Sequence, residues 1–143
     1  MRAAFVSVVP SPYQSDLFHA LRGGDRFVCP VSAGATIWAE SVVQCADNLV
    51  HALSLDSALL PPGRAVTLPA LRPTMGALAA EIAAQCGVSP GLVEYAPDAA
   101  LEAAFGAQPP LATPAAERAG FAHDGSLGAL VRRALAHIVQ DAG

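Results

Sequence analysis

The run Val28-Cys29-Pro30-Val31-Ser32-Ala33-Gly34-Ala35-Thr36-Ile37-Trp38-Ala39-Glu40-Ser41, with the helix-patterned residues after it, decides the architecture. Positions 27–31 and 36–39 read as two short extended pieces, with the small residues Ser32, Ala33 and Gly34 between them. Ser41 then stands where a helix N-cap belongs. Beyond it Val42, Val43, Ala46, Leu49, Val50 and Leu53 form one apolar stripe at helical spacing. Extended pieces feeding a helix this closely predict mixed α/β structure.

The same alternation runs outward in both directions. Positions 4–9 read as a strand, and Pro10-Ser11-Pro12 separates them from a helix carrying Tyr13, Leu17, Phe18 and Leu21 that stops at Gly23-Gly24. Downstream, Pro61-Pro62-Gly63 breaks the chain and positions 65–68 read as a strand. Thr74 opens a helix with Met75, Leu78, Ala79, Ile82, Ala83 and Cys86 on one face, and Gly87 stops it. Positions 92–95 predict a strand, and Asp98 caps a small helix ending at Gly106. Thr113-Pro114 opens a short turn of helix that Gly120 closes. Ser126 caps the last helix, whose buried face is Leu127, Leu130, Val131, Ala134, Leu135 and Ile138. The fold class is therefore α/β, as a small α+β-like lobe of three main amphipathic helices and several short strands. It lacks the regular βαβαβ rhythm of a complete doubly wound domain.

The chain has 143 residues, one domain's worth, and is read as a single domain over 1–143. Apolar residues make up 53% and charged residues 14%, against about 25% charged in an ordinary domain. Disorder is excluded, and part of the surface is expected to meet a partner. The basic residues are all arginine; there is no lysine. That removes P-loop, Schiff-base and Tyr-x-x-x-Lys chemistry together. A lysine-free chain of net charge −4 is also a poor tracker of phosphate backbones, so no nucleic-acid partner is expected. Cys29, Cys45 and Cys86 are odd in number and widely spaced, which speaks for free thiols in a reducing cytoplasm. The apolar start is too short for a signal peptide, and no stretch approaches the ~20 apolar residues of a membrane span.

Catalytic patterns are missing. No G-x-G-x-x-G turn joins a strand to a helix, so no cofactor is expected on this chain alone. None of His19, His51, His123 and His137 pairs with another His or a Cys at i+3 or i+4, so no metal site is expected. Cys45 and His51 face apart on their helix, and Tyr95 with Asp98 reads as a packed ring beside an N-cap. The segment shaped for a ligand is 32–41, where Ser32, Thr36 and Trp38, the only tryptophan, are the candidate substrate-binding residues.

The order of these pieces resembles a known family. Val28-Cys29-Pro30-Val31-Ser32, then Thr36-Ile37-Trp38, then Ala46-Asp47-Asn48-Leu49-Val50-His51-Ala52, is similar to the C-terminal part of extended short-chain dehydrogenases. More narrowly it resembles the D-erythronate dehydrogenase-like branch of the NAD-dependent epimerase/dehydratase family. Val66-Thr67-Leu68-Pro69-Ala70-Leu71, Glu94-Tyr95-Ala96-Pro97-Asp98 and Ala116-Glu117-Arg118-Ala119-Gly120-Phe121 follow in the family's order, from about Phe18 to Asp141.

The resemblance implies a substrate-binding lobe without its Rossmann domain. The family's NAD site and its catalytic Ser, Tyr and Lys belong to the half that has no counterpart here. NAD is thus implied only for a complete enzyme, and positions 1–12 are expected to hold a remnant strand of the missing nucleotide-binding sheet. The family usually has Arg-Leu-Trp where this chain has Thr36-Ile37-Trp38, so a bidentate guanidinium clamp is lost. The implied ligand is a small polar substrate. The implied partner is a Rossmann-type domain, or a second copy meeting this one through an apolar face.

Overall fold

The structure is a computed structural model that describes residues 13–140. The strand expected over 4–9 lies outside the described residues. Helix α1, Tyr13–Gly23, leads into strand β1, Phe27–Cys29. After the 32–41 segment come α2, Val42–Ser54, and a 3-10 turn, Ser57–Leu59. Helix α3, Met75–Cys86, a second 3-10 turn, Pro90–Leu92, and strand β2, Val93–Tyr95, follow. Helices α4, Ala99–Phe105, α5, Pro114–Arg118, and α6, Leu127–Gln140, complete the described chain.

Strands β1 and β2 pair in parallel, with Phe27 opposite Val93 and Cys29 opposite Tyr95. The pairing runs on beyond the ladder, as Ala96 and Asp98 donate their amides to the carbonyls of Cys29 and Pro30. Helix α3 packs against both α1 and α6. It is rich in alanine, which lets its neighbours approach closely. Leu17 and Leu21 of α1, Met75, Leu78 and Ile82 of α3, and Val131 of α6 are fully buried around Cys29 and Val31. This layer of helices on a small sheet is the α/β lobe that the periodicity predicts.

The caps are those read from the sequence. Ser41, Thr74 and Asp98 each accept a hydrogen bond from an amide in the first turn of the helix they open. Ser126 accepts one from Ala129. Gly87 ends α3 at φ +69°, a left-handed conformation open to glycine at little cost.

Two expectations are corrected. Positions 65–68 are extended but form no ladder. Val66 and Leu68 instead pack beneath a small second core of Ala116, Ala119 and Phe121, so they are held by burial without a strand partner. Positions 36–39 make only isolated bridges, Thr36 to Thr74 and Ala107, and Ala39 to Leu71.

The larger surprise is α2. Its apolar stripe faces outward, and the buried residues of the helix are Gln44 and Asn48. Leu53 is 88% exposed, Val50 66%, Leu49 62% and Val42 53%.

Candidate functional site

A buried polar network holds α2 in that orientation. Asp124, itself buried, accepts the Ser41 amide at 2.8 Å and the Ser41 hydroxyl at 2.6 Å. Arg133 of α6 donates to Gln44 Oε1 at 2.6 Å and to Asp124 Oδ1 at 3.2 Å. Asn48 Nδ2 donates to Glu40 Oε1 and to the Ala122 carbonyl, and Asn48 Oδ1 accepts the Ala122 amide. One turn further on, His51 Nε2 lies 2.7 Å from the Ala119 carbonyl, and its ring meets Phe121 edge to face. The polar side of α2 thus finds partners on the 119–124 segment and on α6.

Where the start of α2 meets α1, α3 and α6, a cleft of about 670 Å³ opens. Small-molecule sites commonly run about 300–1,000 Å³. Its apolar lining includes Phe18, Ile37, Leu78, Leu130 and Ile138, and its polar groups include Gln14, His19, Glu40, Cys45 and His137. Trp38 forms part of the wall and is 44% exposed. Its indole N–H donates to the Pro109 carbonyl at 2.8 Å, which fixes the ring. A fixed, half-open aromatic face is suited to stacking on the C–H face of a small ring.

Of the three residues singled out in the sequence, only Trp38 lines this cleft. The amide and hydroxyl of Ser32 both donate to the Glu102 carboxylate, at 2.8 and 2.5 Å. Thr36 donates to the Gln108 carbonyl at 3.0 Å, which Arg72 Nε also approaches at 2.7 Å. Those bonds strap the 106–109 loop beside Trp38. Sequence reasoning missed Phe18, His19, Leu130 and His137 as lining residues. No local motif marks them, because α1 and α6 meet only through the fold.

Burial pushes the Glu40 carboxyl above its ordinary value, against the hydrogen bond from Asn48, with the Asp124 charge adding to the rise. Burial likewise raises the Cys29 thiol, which is enclosed in the core and poorly placed as a nucleophile. Among the described residues no group of three His, Cys, Asp or Glu is placed to hold a metal ion. No helix among them is long and apolar enough to cross a membrane.

The junction from β2 to α4 is not built for a pyrophosphate. A pyrophosphate needs free amides at a glycine-rich turn between a strand and a helix. The junction from β2 to α4 is Ala96-Pro97-Asp98, and the Asp98 carboxylate already accepts the Ala100 and Leu101 amides. An anion there would meet like charge and find its donors taken.

No family model matches the sequence, and no curated protein matches it. Solved structures do match. The nucleoside-diphosphate-sugar epimerase from Agrobacterium tumefaciens superposes with a TM-score of 0.79 at 21% identity, over 99% of this chain and 41% of that one. The chain has the fold of part of such an enzyme. The holo form of the GalE-like L-threonine dehydrogenase from Cupriavidus necator matches at 0.72 and 19% identity, over 86% of this chain and 40% of its own. The L-threonine dehydrogenase from Phytophthora infestans gives 0.73 and 18%, over 90% and 41%. The lobe therefore spans about two-fifths of the length of the enzymes it matches.

Proposed function

We propose that this chain is the substrate-binding lobe of an NAD-dependent sugar or sugar-acid dehydrogenase or epimerase, and that it is not catalytic alone. The observation that carries this reading is the match of nearly the whole chain to 41% of an epimerase. The absence of lysine and of a glycine-rich phosphate turn supports it. The D-erythronate dehydrogenase-like branch is the narrower assignment, resting on the motif order around Trp38 and Asn48.

In this reading Trp38 and the polar groups around it orient a small polyol or sugar acid, with Ser32 and Thr36 shaping the wall that carries the indole. A Rossmann-type partner would supply the nicotinamide chemistry, and closure against it would exclude water from the reacting carbon. The lost guanidinium at position 36 leaves no bidentate clamp at that point, which favours a weakly charged hydroxylated ligand.

The test uses the one tryptophan as a built-in probe. D-erythronate titrated into the purified chain should change the Trp38 emission saturably, and Trp38→Ala should weaken its binding about tenfold by calorimetry. NAD titrated alone should give no binding heat. Saturable NAD binding, or erythronate affinity indifferent to Trp38→Ala, would overturn the assignment. A second reading, an interaction module that keeps the lobe's fold, is favoured by the outward apolar face of α2.

A further inference from the structure

The cleft beside Trp38 carries an unequal set of charges. Its lining holds no arginine and no lysine, and its one carboxylate is Glu40. Glu40 sits in the chain between Ala39, whose amide and carbonyl are both bonded to Leu71, and Ser41, the cap of α2. The Ser41 amide and hydroxyl are held in turn by Asp124, so the backbone is pinned on both sides of Glu40. The side chain is pinned as well. Asn48 Nδ2 donates to Glu40 Oε1 at 2.6 Å, and Asn48 is itself buried and bonded to the Ala122 amide and carbonyl. Among the described residues no other group donates a hydrogen bond to this carboxylate, which has room for several donors.

The surroundings leave its charge poorly offset. Burial already disfavours the ionised form, and the nearby Asp124 charge adds to that, with His123 acting the other way. The Arg133 guanidinium on α6 is bonded to Gln44 and Asp124 and is not part of the lining. The other titratable groups of the wall are His19, His137 and the Cys45 thiol. A half-buried carboxylate in such a wall does two things to a ligand. It accepts strong, charge-assisted hydrogen bonds from hydroxyl groups. It also repels a second carboxylate, and the wall has no guanidinium or ammonium to bridge the two.

We propose that Glu40 is the specificity-determining residue of the cleft: it accepts ligand hydroxyls beside the Trp38 face and turns a ligand carboxylate away, so the preferred ligand is an uncharged polyol or sugar. The proposal rests on the reading of the cleft as the substrate site and narrows the ligand class given there.

Erythritol and D-erythronate differ at one end only, a hydroxymethyl group against a carboxylate. Each is titrated calorimetrically into the purified chain at pH 8, where an ordinary imidazole is uncharged. The wild type should bind erythritol about tenfold more tightly than erythronate, the order of effect of one like-charge pair at a half-buried site. Glu40→Gln removes the charge and keeps an acceptor for Asn48, and should bring the two affinities within about twofold of each other, chiefly by tightening erythronate. Circular dichroism confirms that the variant is folded. D-erythronamide, the uncharged amide of the same acid, gives a measurement that needs no variant: it should bind the wild type as tightly as erythritol does.

Equal wild-type affinities for erythritol and erythronate, or a preference that survives Glu40→Gln, overturn the role of Glu40 and leave the cleft reading standing. Erythronamide that binds as weakly as erythronate makes the discrimination one of shape and overturns the proposal in the same way. If none of the three ligands binds and the Trp38 emission does not move, the cleft reading falls and the proposal falls with it.

Discussion

Replacing Asp124 by alanine should be the most damaging single change outside the apolar core. The carboxylate is buried and accepts three hydrogen bonds, from the Ser41 amide, the Ser41 hydroxyl and Arg133. Asp124→Ala leaves the first two donors buried with no acceptor, at about 1–3 kcal/mol each. The Arg133 side chain is 40% exposed and turns to water, so its share is small. The expected loss is about 4 kcal/mol, a large part of the roughly 5–15 kcal/mol that holds a domain together. At about 3 °C per kcal/mol for a chain of this size, the melting temperature should fall about 12 °C. Urea unfolding followed by circular dichroism reads the change as a shift in midpoint at constant slope. Ser41→Ala alone should cost about 1–2 kcal/mol through the lost cap. The double variant should fall short of the sum, because both changes remove the bond from the Ser41 hydroxyl to Asp124. A loss below 1 kcal/mol for Asp124→Ala, or strict additivity with Ser41→Ala, would refute the view that this carboxylate anchors α2.

Three further outcomes are expected. Glu40 holds its proton to higher pH in the folded chain than in the unfolded one, so folding loses stability as pH rises from the ordinary carboxylate value through the raised one. Glu40→Gln keeps an acceptor for Asn48 and should flatten that decline; urea midpoints from about pH 4 to pH 8 check it, and an unchanged slope counts against the burial of this carboxyl. Gly120 sits at φ +88°, where an added Cβ would come within 2.9 Å of His51 Nε2. Gly120→Ala should therefore cost more than the roughly 1–2 kcal/mol of the left-handed conformation alone, measured by thermal unfolding. Thr74→Ala, which removes the acceptor for the Ala77 amide, should cost about 1 kcal/mol by the same measurement.

The helices were legible because their signals are local. A capping side chain acts on an amide two or three residues ahead, and a glycine stop acts on its own backbone, so Ser41, Thr74, Asp98 and Gly87 could be read in place. The strands were less so. Positions 65–68 carry an extended, apolar pattern, but that pattern reports burial, and here Val66 and Leu68 bury against Phe121 with no ladder. The site was legible only at Trp38. Its cleft is closed by Phe18 from α1 and Leu130 from α6, brought together by long-range packing that no window of sequence contains. The hydroxyls of Ser32 and Thr36 suggested ligand contacts, but their acceptors, Glu102 and Gln108, lie 70 and 72 residues away.

The same separation explains why the stripe on α2 misleads a reader of the sequence. Amphipathicity shows that a helix has two faces; it does not say which one this chain covers. For α2 the decision belongs to partners far along the chain: Asp124 is 83 residues from Ser41, Ala122 is 74 from Asn48, and Arg133 is 89 from Gln44. Each finds a complementary atom on the polar side of α2. Turning the helix over would bury its valines and leucines but leave the Asp124 carboxylate without the Ser41 donors and the Ala122 amide and carbonyl without Asn48. Such a turn would strand a buried carboxylate together with the Ala122 amide and carbonyl. Among the described residues the polar face is therefore satisfied, and the apolar face has no cover. Val42 belongs both to that face and to the wall of the cleft.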